Sequence, residues 1–290
     1  MSFQKTKQFA QSTFNVFSFE FRRDIWSKRA GIIGAIFIMF NLMMLLSFSY
    51  MLTADAQDAE VPEVFQDPDS ETWAKLSVVL GSGLYFQLLG LGAICYFGAG
   101  TLARDINSGS LRLMQSNPVS RESNYLGRNA SAFLTGYLLA LLGSGFMTIG
   151  MMLVGLMAGI EAADAAMLVL EVSLKLQIVM IASFILATTA TAALGTGIRS
   201  ATIGAIAGIA FFLLIDTFLI IGASLFPSEW HLENLSFGHH QSEILLWLVG
   251  DVETGYRAKD IPLESVGFFL AIPMAAVIVG MMLYRKMDLD

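Results

Sequence analysis

Charged residues are scarce in this chain: they make up 14% of its 290 residues, whereas a soluble domain of this length carries about 25%. The apolar fraction of 55% and the mean hydropathy of +0.64 are too high for a single globular core. These values exclude an ordinary soluble domain and predict several membrane-spanning helices.

Cysteine is nearly absent as well. The single residue, Cys95, lies within an apolar run, so the chain forms neither an internal disulfide nor a cysteine-based metal cluster. The first apolar run begins near Gly31, which is too deep in the chain for a cleaved signal peptide. We therefore expect this run to remain as the first span.

The motifs of nucleotide and hydrolytic chemistry are missing too. No glycine is followed by lysine, so the chain has no P-loop and is not expected to hydrolyse ATP. The Gly-x-Ser-x-Gly elbow of serine hydrolases and the His-Glu-x-x-His motif of zinc proteases are also absent. We accordingly expect no enzymatic activity and no cofactor of its own in this chain.

What is present is a series of long apolar runs separated by polar loops. They predict an all-α polytopic membrane protein with six transmembrane helices, at about residues 31–52, 76–100, 130–158, 167–198, 201–224 and 263–283. Ahead of the first span, Phe14, Phe17, Phe21 and Ile25 recur at helical spacing, which predicts an N-terminal amphipathic helix in the membrane interface.

The distribution of basic residues predicts the topology. With six spans, thirteen of the 17 Lys and Arg residues fall on one side: in residues 1–30, in 101–128, at Arg199 and in the tail. Cytoplasmic loops carry such an excess, so both termini are expected in the cytoplasm. Residues 53–75 and 225–262, which hold most of the acidic residues, are then extracytoplasmic.

The loop between the second and third spans is the most distinctive part of the chain. It contains four arginines, and Asp105 to Gln115 can form a short helix before the break at Asn117–Pro118. A second helical start after that break is expected to lead the chain back into the bilayer. The alternative interpretation is that this stretch is an ordinary basic cytoplasmic loop with no special function.

This loop resembles the coupling segment of membrane (permease) subunits of type-2 ABC transporters, known as ABC-2. That family carries an acidic residue, then Gly-Thr/Ser-Leu, then Pro-Val-Ser-Arg, then Leu-Gly-Lys/Arg. The matching positions here are Asp105, Gly109-Ser110-Leu111, Pro118-Val119-Ser120-Arg121 and Leu126-Gly127-Arg128. The Glu20-x-Arg22-Arg23 pattern resembles the family's N-terminal elbow helix, and the tail from Tyr284 resembles its usual ending.

The resemblance implies a function as well as a fold. It implies a permease subunit that works as a dimer, with a second copy or a homologous permease, and that exports a substrate across the plasma (inner) membrane. ATP and magnesium would be bound by a separate cytoplasmic ATPase subunit, and no nucleic acid partner is expected. The residues implied to couple the two subunits are Asp105, Arg112, Pro118, Arg121 and Arg128. The substrate is not specified by the sequence.

Two polar residues lie at similar depth in the fourth and fifth predicted spans. Lys175 and Asp216 are predicted to form a buried ion pair, and the alternative is that Asp216 contacts a substrate or relays protons. Lys175 is also four residues from Glu171, in the favourable order for a helical pair. On the fifth span, Gly204 and Gly208 form a small-xxx-small motif that packs helices, and the resemblance implies that it lies near a dimer interface.

A different class of function remains open at this stage. A polytopic membrane enzyme or an ion-coupled carrier could use Asp216 together with the outer-face histidines His231, His239 and His240. The same histidines and nearby glutamates could assemble a metal site, since His239 and Glu243 are four residues apart. However, no spacing fixes a closed set of ligands, and surface histidines are common.

Overall fold

The structure, a computed structural model, describes residues 3–53, 70–107, 119–157, 166–225, 232–250 and 258–287. All regular elements in these ranges are helical. In chain order they are α1 (Phe3–Ile25), α2 (Lys28–Thr53), α3 (Ser70–Gln87), α4 (Leu89–Asn107), α5 (Arg121–Met157), α6 (Ala166–Ile198), α7 (Ala201–Ile209), a π-helical segment (Ala210–Ile215), α8 (Asp216–Leu225), a 3-10 turn (Leu232–Leu235), α9 (Phe237–Leu248) and α10 (Leu263–Arg285).

Five helices of the described chain are long and apolar enough to cross a membrane. They are Lys28–Tyr50, Arg121–Met157, Met167–Ile198, Ala201–Leu219 and Leu263–Arg285. The expectation of an all-α multi-pass protein is therefore confirmed at this level. The second predicted span differs: residues 76–100 are divided by a turn at Leu88 into the end of α3 and the start of α4. Four glycines, at positions 81, 83, 90 and 92, weaken helix propensity on either side of that turn.

The third span begins earlier than its hydropathy suggested. Helix α5 starts at Arg121 rather than near residue 130, so the second half of the 101–128 loop is helical. Ser120 sets this start, because its hydroxyl oxygen accepts a hydrogen bond from the Ser123 backbone amide at 3.1 Å, as an N-cap does. The first part of that loop, residues 101–107, forms about the last two turns of α4.

Helices α4 and α6 form the centre of the bundle. Helix α4 packs against α5, α6 and α7, and α6 also packs against α10. Ile94 on α4 and Met180 and Phe184 on α6 are fully buried in the main core. Helix α2 lies at the periphery and exposes a broad apolar face, as a lipid-facing helix does.

Several helix ends meet at one end of the bundle. The side of α1 that carries Thr13 and Val16 packs closely on the second turn of α5, and the last turn of α10 packs on its first turn. Because both ends of the described chain contact the same two turns, α1 and the end of α10 lie on one side of the bundle. The end of α4 contacts the same region through Asp105.

Candidate functional site

A buried cluster of charged side chains lies where these helix ends meet, and we call it the charge network. Arg128 on α5 is at its centre and is 2% exposed. Its guanidinium forms ion pairs with Asp105 on α4 and with Glu20 on α1, the latter at 3.2 Å. It also donates hydrogen bonds to the Thr101 carbonyl oxygen at 2.7 Å and to the Asn124 side-chain oxygen at 2.9 Å. One arginine thus links three helices.

A second arginine completes the network from α1. Arg23 pairs with Glu20 at 2.5 Å, one helical turn away, and lies 3.7 Å from Asp105. Unlike Arg128, its side chain is 37% exposed, so it closes the cluster toward solvent. Arg23 also lies 3.8 Å from Asp24, so the network joins three acids to two arginines, and each of its acids has an arginine partner, as buried carboxylates require.

Local sequence explains why α1 comes close enough to reach Arg128. Gly127 precedes the arginine, and a Cβ atom at that position would lie 2.7 Å from the Thr13 carbonyl oxygen and 2.9 Å from the Val16 Cβ. Any side chain would therefore push α1 away. The Leu-Gly-Arg element thus has two structural roles: glycine permits the contact and arginine fixes it electrostatically.

The electrostatics of Glu20 reflect its burial. Its side chain is 3% exposed, and removal from water raises the pKa of the carboxyl group above its usual range. The Arg128 and Arg23 guanidinium groups act in the opposite direction, and Asp24 and Asp105 add a smaller upward effect. The net upward direction means that burial outweighs the attraction of the two arginines.

The next helix end is fixed by Arg121. Its guanidinium donates to backbone carbonyl oxygens at the end of α10, at 2.9 Å from that of Arg285, 3.3 Å from that of Met287 and 3.4 Å from that of Tyr284. A cation at a helix C-terminus satisfies carbonyls that have no partner within the helix and complements the helix dipole. Arg285 in turn pairs with Glu122 at 2.5 Å.

The residues implied to contact an ATPase therefore have different environments. Asp105 and Arg128 are buried in the charge network, and Arg121 is bound to the end of α10. Arg112 and Pro118 lie outside the described residues. Glu20 and Arg23 were not predicted as site residues from the sequence. The resemblance of Glu20-x-Arg22-Arg23 to an elbow helix is the sequence feature that could have identified them.

The predicted pair of Lys175 and Asp216 is not formed, and each residue has another partner. Lys175 pairs with Glu171 one turn earlier on α6. Asp216 accepts hydrogen bonds from the Ser236 hydroxyl at 2.8 Å and from the Gly238 backbone amide at 3.0 Å. Similar depth did not bring the two side chains together, whereas the start of α9 offers Asp216 amide and hydroxyl donors, as helix N-termini do for carboxylates.

The same helix start carries a second polar group, which we call the histidine cluster. His240, 3% exposed, places Nδ1 2.8 Å from the Ser265 hydroxyl and Nε2 2.9 Å from the Asn234 carbonyl oxygen. Ser265 also hydrogen-bonds the Glu243 carboxylate, and His239 lies 3.5 Å from that carboxylate. His231 lies outside the described residues.

The hydrogen bonds of this cluster form a chain across two helices. The Asn234 carbonyl oxygen can only accept, so in this contact Nε2 of His240 is the donor. Ser265 on α10 lies between Nδ1 of His240 and the Glu243 carboxylate and hydrogen-bonds with both. The cluster therefore joins the start of α9 to the first turn of α10.

Gly204 and Gly208 pack helices of this chain against each other. A Cβ at position 204 would lie 2.7 Å from the Gly195 Cα on α6 and 3.2 Å from the Ala99 Cβ on α4, and one at position 208 would collide with Thr191. Both glycines thus lie at close contacts of α7 with neighbouring helices. The face is already covered by α4 and α6, so the implied place at a dimer interface is not supported.

Within the described ranges, no group of three or more His, Cys, Asp or Glu side chains is arranged to hold a metal ion. Comparison with models of known protein families found no match to this chain, and comparison with curated proteins likewise found none. The geometry of the charge network and of the histidine cluster therefore carries the functional argument.

Proposed function

We propose that this chain is the membrane subunit of an ATP-driven exporter of the ABC-2 type. Within its coupling segment, 101–128, residues 108–118 contact the ATPase, and the chain works as a dimer with separate cytoplasmic ATPase subunits in the plasma (inner) membrane. The observation that carries the proposal is the charge network: Arg128 holds Asp105 and Glu20 so that the two helix ends flanking the segment, at Asn107 and Arg121, are joined to α1.

A coupling segment transmits force only if the helices on either side of it are rigidly connected. A partner that pushes on residues 108–118 moves the bundle only if both flanking helices respond together. An ion pair whose members are removed from water resists separation more strongly than an exposed pair. Arg121 on α5 extends the connected unit to the end of α10, so a movement of the segment would be transmitted to α1, α5 and α10 together.

The positions of the chain ends support six crossings. Helix α1 and the end of α10 both contact the first two turns of α5. Ends on one side require an even number of crossings, so α3 and α4 together would supply the sixth. The excess of basic residues at this end favours a cytoplasmic position for both termini.

The test is capture of the ATPase by a tagged chain purified from its own membranes. We expect a nucleotide-hydrolysing subunit in fixed stoichiometry, whose ATPase rate changes when the two are reconstituted in nanodiscs. Arg112→Glu should reduce capture, because loss of one hydrogen-bonded charge in a contact costs about 2–5 kcal/mol. Lys259→Glu, at an exposed site outside the segment, is the matched control. Recovery of no ATPase with the wild type would refute the proposal.

A second candidate function is an ion-coupled carrier. It is favoured by one observation: Asp216, Ser236 and the His240–Ser265–Glu243 hydrogen-bond chain are brought together at the start of α9, and Glu243 is partly exposed there. In proteoliposomes without ATP, a carrier would couple an imposed proton gradient to solute uptake, and Asp216→Asn would abolish that uptake. Transport that requires ATP and survives collapse of the gradient would exclude it.

A further inference from the structure

An apolar crevice of about 500 Å³ lies between α2, α4 and the π-helical segment. Its walls include Ile33 and Phe37 from α2, Leu89 from α4 and Leu213 from the π-helical segment. Of the described residues that line it, Arg29 alone carries a charge. The turn at Leu88 and the π-helical segment both border it, and interruptions of regular helix are often found at functional sites.

The crevice has the depth of one membrane leaflet. Its lining on α2 runs from Arg29 to Phe37, which is eight residues or about 12 Å along a helix. Half of a bilayer's hydrocarbon core is about 15 Å. Arg29 stands at the first turn of α2, so the charge is at the headgroup end and the apolar walls extend toward the middle of the bilayer.

A second arginine is turned toward the same place. The guanidinium of Arg104 lies over the Tyr96 ring, 4.9 Å from its centroid, and Nη2 donates to the Tyr96 carbonyl oxygen at 3.4 Å. Tyr96 lines the crevice eight residues earlier on α4, so the side chain folds back along its own helix. Gly100 makes the room, because a Cβ there would collide with the guanidinium.

Arg29 lies near enough to Arg104 for its charge to act on the Arg104 guanidinium. Burial lowers the pKa of the Arg104 guanidinium, and the charge of Arg29 lowers it further. Asp24 and Arg23 act on Arg104 from the end of α1 with opposite signs. No carboxylate of the described residues lies within 4.0 Å of either guanidinium. The mouth of the crevice therefore combines positive charge with an apolar interior.

We propose that this crevice binds an anionic phospholipid, with one acyl chain between α2, α4 and the π-helical segment and the phosphate at Arg29 and Arg104. An acyl chain suits apolar walls of leaflet depth, and a phosphate suits two guanidinium groups. A second copy of the chain is a poorer occupant, because a two-fold contact centred on this mouth would bring a second Arg29–Arg104 pair beside the first. The proposal does not depend on the transport function.

The experiment measures lipid retention by the purified full-length protein in a non-ionic detergent, using native mass spectrometry. Phosphatidylglycerol and phosphatidylcholine with identical acyl chains are added in separate titrations, and inorganic phosphate is the third arm. We expect saturable binding of phosphatidylglycerol and weaker binding of the other two. Arg29→Gln and Arg104→Gln should each weaken it about fivefold, the change that corresponds to about 1 kcal/mol per basic residue near a membrane surface.

A crevice-filling variant locates the site. A Cβ at Gly92, which lines the crevice, meets no atom within 4 Å, so Gly92→Leu can fill the space without a clash at its first atom. It should reduce phosphatidylglycerol binding at least tenfold. Gly145 on α5 has equally open surroundings and does not line the crevice, so Gly145→Leu is the matched control and should bind normally.

Four outcomes would overturn the proposal. Equal retention of phosphatidylcholine would show that the negative charge of the headgroup does not contribute to binding. Equally tight binding of phosphate alone would show that the apolar walls do not contribute. Unchanged phosphatidylglycerol binding by Gly92→Leu would place the lipid elsewhere. Conversion of a dimer to a monomer by Gly92→Leu, with lipid retention intact, would assign the crevice to a second copy.

Discussion

Replacing Arg128 by methionine should release α1 from the bundle. Arg128 is 2% exposed and pairs with Glu20 and Asp105, which are also buried. Removing one member of a buried ion pair leaves an uncompensated charge and costs about 3–5 kcal/mol. Methionine keeps most of the side chain's apolar length, so the effect reports the loss of the guanidinium, with its charge and its hydrogen bonds to Asn124 and Thr101. Since α1 has its own exposed charges, undocking it is a cheaper response than unfolding the whole bundle.

A thiol on α1 reports this release. The single native cysteine, Cys95, is fully buried, so a cysteine introduced at Val16, half-buried against Gly127, supplies the signal in an otherwise unreactive background. If labelling requires undocking, a loss of about 3–5 kcal/mol speeds it by roughly a hundredfold to a few thousandfold. Arg22→Met, at an exposed position on the same helix, should leave the rate unchanged.

The contrary result is equally clear. A labelling rate within about threefold of the wild type in Arg128→Met would mean that the network contributes little beyond about 0.7 kcal/mol. The docking of α1 would then rest on Gly127 and the apolar contacts alone. Gly127→Ala, which forces α1 away from α5, would be the variant that releases it.

Three further predictions concern charge, packing and backbone geometry. Burial raises the folded-state pKa of Glu20, so at pH values between the unfolded-state and folded-state pKa the folded protein binds more protons than the unfolded one. The unfolding free energy of the wild type, measured relative to Glu20→Gln, should therefore fall as the pH rises through this window and level off above it. A rise of this free energy with pH would show that the attraction of the arginines outweighs burial. Gly204→Leu should lower the free energy of unfolding by about 1–3 kcal/mol through overpacking against α6, and the fraction of dimer at matched protein concentration should not change. A loss of dimer without a loss of stability would instead place Gly204 at the dimer interface. Arg199 has φ of 59°, so Arg199→Gly should raise the thermal midpoint by relieving about 1 kcal/mol of left-handed strain, and a lowered midpoint would contradict this.

Hydropathy predicted most of the fold because it measures the property that decides membrane insertion. The helices from Ala166 to Ile198 and from Leu263 to Arg285 begin and end within two residues of the predicted spans. It missed the turn at Leu88, because a window average does not register how glycines on either side weaken a helix. The start of α5 was also missed, since the first turns of that helix are polar and lie before the apolar run.

The side-chain partners were less predictable than the helices. Lys175 and Asp216 matched in depth, but depth does not specify how each helix is rotated about its axis, so the nearby Glu171 was the better partner for Lys175. The resemblance of Leu126-Gly127-Arg128 to the family's coupling segment implied that Arg128 meets a partner protein. Its burial follows from the contact that Gly127 allows with α1, which no local pattern reveals.

If the proposed transporter function is right, Arg128 and Arg112 should affect coupling in different ways. Arg128 is buried and cannot reach a partner protein, so it can act only by joining the helix ends on either side of residues 108–118. Arg128→Met should therefore leave ATPase capture within about twofold of the wild type, as an effect below about 0.4 kcal/mol implies, yet reduce ATP-driven transport severely. Arg112→Glu should reduce capture and transport together. Both quantities are measured on the same nanodisc preparations, and a loss of capture by Arg128→Met as large as that by Arg112→Glu would show that the network forms part of the contact surface instead of a rigid base beneath it.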